Sequence, residues 1–442
     1  MLFSNKMLKR LIIPLIIEQL LAVTVGFADT IMVSSVGEAA VSAVSLVDGI
    51  NILLINIFAA LGTGGAVVAA QLIGQGSKDK ARFSAKQLIL ITALLSFVIM
   101  IVVLIFNGSL LHMIFGHVDS AVMENAEIYF LFSALSYPFI ALYNSGAALF
   151  RAVGNSKISM VNSALMNAIN IVLNAIFIFG LGWGVFGAVF ATLIARAVAC
   201  CVILYVLGHS ENDLQVRDYL HWKFDWVYIK KILSIGIPSG LENGMFQFGK
   251  ILVQSLIATF GTYSIAANAV SNNICSMLII PGTAMGLAMV TVVGQCVGAN
   301  DYQQAKQYIM KLMKITYLSM CVLNIVVLFF VPKLLTFYSL SVQTTDLAYQ
   351  CIFWHIVIGI LIWPISFTFP NALRAANDAK FTMIVSAASM WTFRFCLSYV
   401  LGQYMGMGLL GVWMAMFVDW GIRCLFFIWR YCSGKWMNRQ LV

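Results

Sequence analysis

Long runs of apolar residues recur along the chain, separated by short connections rich in glycine, proline and charge; the stretch from Leu88 to Phe106 is apolar on every face. A transmembrane β-barrel is excluded, because its strands would alternate apolar and polar at every second residue. A membrane-crossing helix needs about 20 predominantly apolar residues, and the runs predict twelve of them: 8–33, 45–73, 87–112, 126–150, 158–180, 184–208, 229–259, 264–295, 314–337, 348–372, 381–401 and 408–430. The predicted fold class is therefore an all-α polytopic membrane protein.

Composition agrees. The 442 residues are 61% hydrophobic and 10% charged, with a mean hydropathy of +0.94, whereas a soluble chain has roughly a quarter of its residues charged. Twelve spans leave no room for a sizeable soluble domain. On a soluble protein the net charge of +9 would suggest nucleic acid; here its distribution makes it a topological signal, and no nucleic-acid partner is expected. With the N-terminus inside, every Lys and Arg except Lys333, Arg196, Lys250 and Arg394 falls at a cytoplasmic end or loop, as the positive-inside rule requires. Both termini are thus predicted to be cytoplasmic. Lys6, Lys9 and Arg10 precede an apolar run as in a signal peptide, but Pro14 and Glu18 interrupt that run and no small-residue cleavage site comes after it. The nine cysteines show neither a disulfide framework nor a zinc spacing.

Residues 1–209 and 229–442 read as two six-helix bundles joined by a polar linker at 210–228. They align at an offset of 224: Pro14 with Pro238, Glu18 with Glu242, Gly37 with Gly261, Gln71 with Gln295, Gly74 with Gly298 and Gly187 with Gly411. LFRAVGNSK from Leu149 and LRAANDAK from Leu373 pair at 223, which sets Arg151 opposite Arg374. Six helices per repeat give both halves the same orientation, so a pseudo-two-fold axis along the membrane normal should relate them. Parallel repeats of this kind are a transporter architecture.

Ionisable groups inside a membrane are functional candidates by default. Asp419 lies four residues before Arg423, a helical pair with a structural reading. Asp29 has no base near it in sequence and sits some 27 Å along its helix from Leu11 at about 1.5 Å per residue; a carboxylate at that depth takes up a proton or binds a cation. Asn170 and Asn174, at i and i+4, share one face of the fifth span, and Thr192 on the sixth adds a hydroxyl. One carboxylate with neutral oxygens suits a proton or a monovalent hard cation such as Na+ better than a divalent ion. In the second half Val253 stands at the position of Asp29, Met416 at that of Thr192, and Phe393 or Arg394 and Leu397 or Ser398 at those of the asparagines, so the site belongs to one half only. Glu18 and Glu242 recur in both halves and are candidates for attracting a cationic substrate, or for a structural role beside Pro14 and Pro238. Of the histidines, His112 and His117 fall in an external loop, His209 and His221 near the linker, and His355 in the tenth span, where it is a packed residue or a proton relay. No catalytic triad, metal cluster or phosphate loop is evident, so an enzyme is not expected.

The segments PLIIEQLLAVTVGFADTIMVSSVGEAAVSAVSLV, GGAVVAAQLIGQG and GVWMAMFVDWGIR, with the paired arginine motifs, resemble the multidrug and toxic compound extrusion (MATE) family over essentially the whole chain. The resemblance implies a V-shaped transporter of two six-helix bundles around a central cavity, exporting cationic or amphiphilic compounds in exchange for H+ or Na+, without a cofactor. It also implies that Asp29 is the family's helix-one aspartate and that Asn170, Asn174 and Thr192 complete a cation site in the first bundle. The family's second site type, a glutamate further along helix seven with an aspartate on helix ten, has no counterpart here, since 243–248 and the tenth span contain no acid. The expected protein is a monomeric secondary antiporter of the cell membrane, in contact with lipid and small-molecule substrates and working by alternating access. The rival readings are a flippase for lipid-linked precursors, which would need several cations for a pyrophosphate, and a non-transporting scaffold or receptor.

Overall fold

The structure, a computed structural model, describes residues 2–115, 119–209, 214–216, 223–338 and 340–438. His117, Arg217, His221 and Arg439, and most of the expected linker 210–228, lie outside the described residues. In hydrocarbon a backbone can satisfy its N–H and C=O groups only internally, and the apolar runs are all helical, with no strand among the described residues. The first half contains α1 (Asn5–Ser34), α2 (Glu38–Gly74), α3 (Lys78–Phe115), α4 (Ser120–Ala152), α5 (Ser156–Asn174) and α6 (Gly184–His209). The second contains α7 (Trp226–Ala258), α8 (Thr262–Leu278), α9 (Ile280–Gly298), α10 (Tyr302–Thr336), α11 (Val342–Trp363), α12 (Pro370–Ala375), α13 (Ala379–Ser389) and α14 (Gly408–Cys432).

Eleven helical runs among the described residues are long and apolar enough to cross a membrane. The twelfth span is α7, which is 33 residues long but diluted by Glu242, Asn243, Gln247, Lys250 and Gln254. Helices α8 and α9 together fill the eighth predicted span, broken at Ile279. The break lies two residues before Pro281, whose ring and missing N–H disrupt the preceding turn.

The helices gather into two compact units, Phe3–Gly240 and Leu241–Val442 with Met1–Leu2, so that α7 runs from one into the other. In the first, Phe58, Phe130, Tyr137 and Ala147 anchor a core shared by α2, α3, α4 and α6. In the second, Trp363, Trp413, Phe417 and Trp420 do so with residues of α7, α8, α10 and α11.

The repeat is visible in the backbone. Helices α2 and α8 both start after a glycine with positive φ, Gly37 and Gly261, and α3 and α10, like α6 and α14, start 224 residues apart. Between these points the offset drops to 223 at α5 and α13 and returns to 224 where the wider helical turns Ala175–Gly180 and Tyr399–Tyr404 begin. The second half therefore holds one extra residue, absorbed by the wide turns Met390–Cys396, the way a helix accommodates a single insertion. This places Ser398 at the position of Asn174.

Small residues let the helices of the first unit approach closely, as in lipid they must if packing alone is to hold them. A Cβ on Gly64 of α2 would lie 2.5 Å from the Ile232 carbonyl oxygen and 2.9 Å from the Gly236 nitrogen of α7. Gly49, on the same helix, has nothing within 4 Å of such an atom. Gly64→Val should accordingly lower the thermal stability of the purified protein by about 1–3 kcal/mol through overpacking, while Gly49→Ala leaves it unchanged or slightly raised. Equal melting temperatures for the two variants would contradict this account of the packing.

Candidate functional site

In the first unit, α1, α5 and α6 bring the four residues singled out in sequence into one hydrogen-bonded chain. Asn174 Nδ2 donates to Asp29 Oδ1 at 2.8 Å and to Asn170 Oδ1 at 3.2 Å. Asn170 Nδ2 donates to Thr192 Oγ1 at 3.0 Å, and that hydroxyl donates to the Ala188 carbonyl at 3.0 Å. The i, i+4 spacing does what helical geometry dictates, aligning both asparagines on the buried face of α5. With both of its amide hydrogens engaged, Asn174 keeps its Oδ1 buried and without a hydrogen-bond partner among the described residues. A lone buried carbonyl beside a carboxylate can accept from a proton donor or coordinate a hard cation.

Asp29, Asn174 and Thr192 open on a cavity of about 150 Å3, also lined by Asp48 and Tyr129. Asp48 is the functional candidate that the sequence pattern did not indicate. The predicted span 45–73 puts it near an edge, whereas α2 begins at Glu38 and carries it well inside; the i, i+3 pair Asp48 and Asn51 was the available signal. Asp48 Oδ1 accepts from Tyr129 Oη at 3.2 Å and from Asn51 Nδ2 at 3.3 Å, and Tyr137 Oη donates to Asn51 Oδ1 at 2.8 Å. Arg196, for which the sequence suggested no role, donates to Ser136 Oγ at 2.7 Å. Two carboxylates and no base line the cavity, so its walls carry a formal negative charge that a monovalent cation or a proton would reduce.

Glu18 and Glu242 sit elsewhere. Arg151 Nη1 lies 3.2 Å from Glu18 Oε1, and Ser159 donates to Glu18 Oε2 at 2.9 Å. In the second unit Arg374 Nη2 lies 2.7 Å from Glu242 Oε2, with the Thr382 hydroxyl 3.5 Å away. The paired arginine motifs of the sequence are thus the counterions of the paired glutamates. Asp419 and Arg423 also pair, at 2.9 Å and deeply buried, and Arg430 grips Asp378 through two hydrogen bonds of 2.6 and 3.1 Å.

The second unit does not repeat the acidic cavity. Val253, Asn272 and Met416, the counterparts of Asp29, Asp48 and Thr192, line a cavity of about 520 Å3 together with Lys250, Arg394 and several aromatic rings. His355 is packed edge-on against Trp413 and Trp420, with centroid distances of 6.0 and 5.4 Å.

Two repeated units of membrane-spanning helices, with charged groups facing cavities inside the spans, are the architecture of a polytopic membrane transporter. The family model MatE matches residues 14–176 and again 238–400, two stretches set 224 positions apart, as the internal repeat requires. The chain belongs to the MatE family. It is similar to an uncharacterised transporter, YisQ, of Bacillus subtilis (27% identity, covering 97% of this chain and 94% of the relative). It is also similar to a probable multidrug resistance protein, NorM, of Thermotoga maritima (26% identity, 99% and 94%). Among solved structures, an outward-facing multidrug resistance MATE family transporter of the MOP superfamily has the same fold, with a TM-score of 0.91 at 23% identity over 98% of this chain and 97% of that one.

The glutamate–arginine pairs should behave as structural units. Arg151→Met leaves Glu18 as an uncompensated buried charge and should cost about 3 kcal/mol or more in thermal stability, whereas Glu18→Gln combined with Arg151→Met should recover most of that loss. A double variant as unstable as the single one would show that the two groups are not coupled.

Proposed function

We propose that the protein is a secondary antiporter of the cytoplasmic membrane, exporting cationic or amphiphilic small molecules in exchange for H+ or Na+, with both termini in the cytoplasm. The observation that carries this reading is the buried, unpartnered Asn174 Oδ1 beside Asp29. The surrounding oxygens can accept a cation or a proton, and Asp48 adds a second carboxylate to a cavity lined by no base. Among its described residues the second half has no such arrangement. A polar cluster required only for folding of the repeat would appear in both units; one that appears in a single unit has the asymmetry of a coupling site. Glu18 and Glu242, each closed on an arginine, belong to packing in this reading.

Coupling needs no contact between ion and substrate. If the ion favours one conformational state and the substrate the other, each shifts the equilibrium against the other by the same free energy, and a gradient of one moves the other uphill. Asp29→Asn removes the ionisable member while preserving shape and hydrogen bonding. In inside-out vesicles it should abolish substrate movement driven by an imposed pH or sodium gradient, with the amount of folded protein unchanged. Running the two gradients separately on the wild type identifies the ion, and Asn174→Asp, which adds a second carboxylate at the open carbonyl, should alter the dependence on that ion. Gradient-driven transport undiminished in Asp29→Asn would overturn the assignment.

A further inference from the structure

The two cavities occupy equivalent positions in the two units yet have opposite charge. Gly26, Asp29, Asp48 and Thr192 line the first, and Lys250, Val253, Asn272 and Met416, each 224 residues on, line the second. Neither carboxylate of the first cavity recurs at these positions, and a lysine stands where the first has a glycine. Arg196, which donates to Ser136 in the first unit, has Trp420 as its counterpart. The second cavity gains a different base, Arg394, from the wide turns that absorb the inserted residue. Its lining contains no aspartate or glutamate.

The positive charge is concentrated and poorly answered by the protein. Lys250 Nζ lies 5.5 Å from the centroid of Phe246, and the guanidinium carbons of Arg394 and Arg423 lie 5.0 and 5.5 Å from the same centroid. Three cations therefore surround one ring. The nearby carboxylate is that of Asp419, which is bonded to Arg423 Nε at 2.9 Å and takes the Ser389 hydroxyl at 2.5 Å. Among the described residues neither Lys250 nor Arg394 has a carboxylate within 4.0 Å; Arg394 Nη2 instead points at the thioether of Met416 at 3.2 Å, a weak acceptor. A base inside a membrane span that lacks a protein counterion marks a ligand pathway. The space suits such a ligand. A cavity of about 520 Å3 falls within the roughly 300–1,000 Å3 of drug-sized sites. Trp363 stacks on Phe367 at 5.1 Å, and Trp413 and Trp420 supply further flat apolar walls.

We infer that this cavity binds an organic anion with an aromatic or amphiphilic body, its carboxylate or sulfonate between Lys250 and Arg394 and its apolar part against the tryptophans. As a binding site the cavity stands on its own geometry; as a statement about what is exported, it rests on the antiport reading and narrows the substrate from cationic or amphiphilic compounds to anionic amphiphiles.

The test uses the full-length protein in nanodiscs of zwitterionic lipid with no ion gradient, so that its outcome is independent of coupling at Asp29. Quenching of tryptophan fluorescence is titrated with naphthalene-2-sulfonate and with the trimethylammonium analogue of the same ring. The sulfonate should bind roughly tenfold or more tightly than the cation, as expected for a charge-assisted contact. Lys250→Gln should remove most of that preference and Lys250→Arg should retain it, which a loss of folding would not reproduce. Equal or tighter binding of the ammonium compound, or an unaltered sulfonate affinity in Lys250→Gln, would overturn the inference. So would displacement of the sulfonate when anionic phospholipid replaces the zwitterionic lipid, since the occupant would then be a headgroup.

Discussion

A charge buried in a membrane span must be neutralised where it sits, and the organisation of this protein depends on how each charge meets that requirement. Glu18 with Arg151, Glu242 with Arg374, Asp419 with Arg423 and Asp378 with Arg430 are closed within the protein, at distances of 2.6 to 3.2 Å. Removing water raises the cost of an isolated charge by several kcal/mol even after relaxation, so these contacts fix the helices that carry them. Two clusters are left open. Asp29 and Asp48 line the first cavity without a base among its walls, and in the second unit Lys250 and Arg394 have no carboxylate within 4.0 Å among the described residues. The imbalance is negative in one and positive in the other, and in each it faces a cavity.

Duplication explains how one architecture carries both. The ion-paired glutamates, the glycines that start α2 and α8, and the wide turns that continue α5 and α13 are common to the two halves. They are the elements that any copy needs to fold. The polar positions lining the cavities differ between the halves, because a residue facing open space is not held by packing against its neighbours. One inserted residue after α13 contributed to this, since a helix that takes up an extra residue as a wide turn rotates the faces of all its later residues. Arg394 lies in that segment, and Ser398, in the place of Asn174, donates its hydroxyl to the Arg394 carbonyl.

The cavities also differ in size in a way that matches their chemistry. About 150 Å3 has room for a few water-sized groups, each occupying roughly 30 Å3, and amide, hydroxyl and carboxylate groups make up part of its walls. The larger space in the second unit is walled by indole and phenyl rings, which give apolar contact area with little conformational freedom to lose.

By itself the sequence determined the membrane fold, the twelve spans, the repeat and its offset, because hydrocarbon leaves the backbone no choice but helix and because apolar length is read directly from the chain. It also placed Asn170 and Asn174 on one face, since residues at helical spacing share a face whatever the tertiary structure; that Asp29 of α1 and Thr192 of α6 join them was decided by packing. The counterions of Glu18 and Glu242 were in view as paired motifs but unassigned: Arg151 is 133 positions from Glu18, and no local pattern connects them. Asp48 was overlooked because the helix carrying it extends beyond its apolar core. The partners of Arg196, the residues surrounding His355 and the convergence of Lys250, Arg394 and Arg423 on Phe246 were decided by tertiary structure alone. Charges interact through space, so the sequence can say which ones are buried, and only packing decides which of them meet.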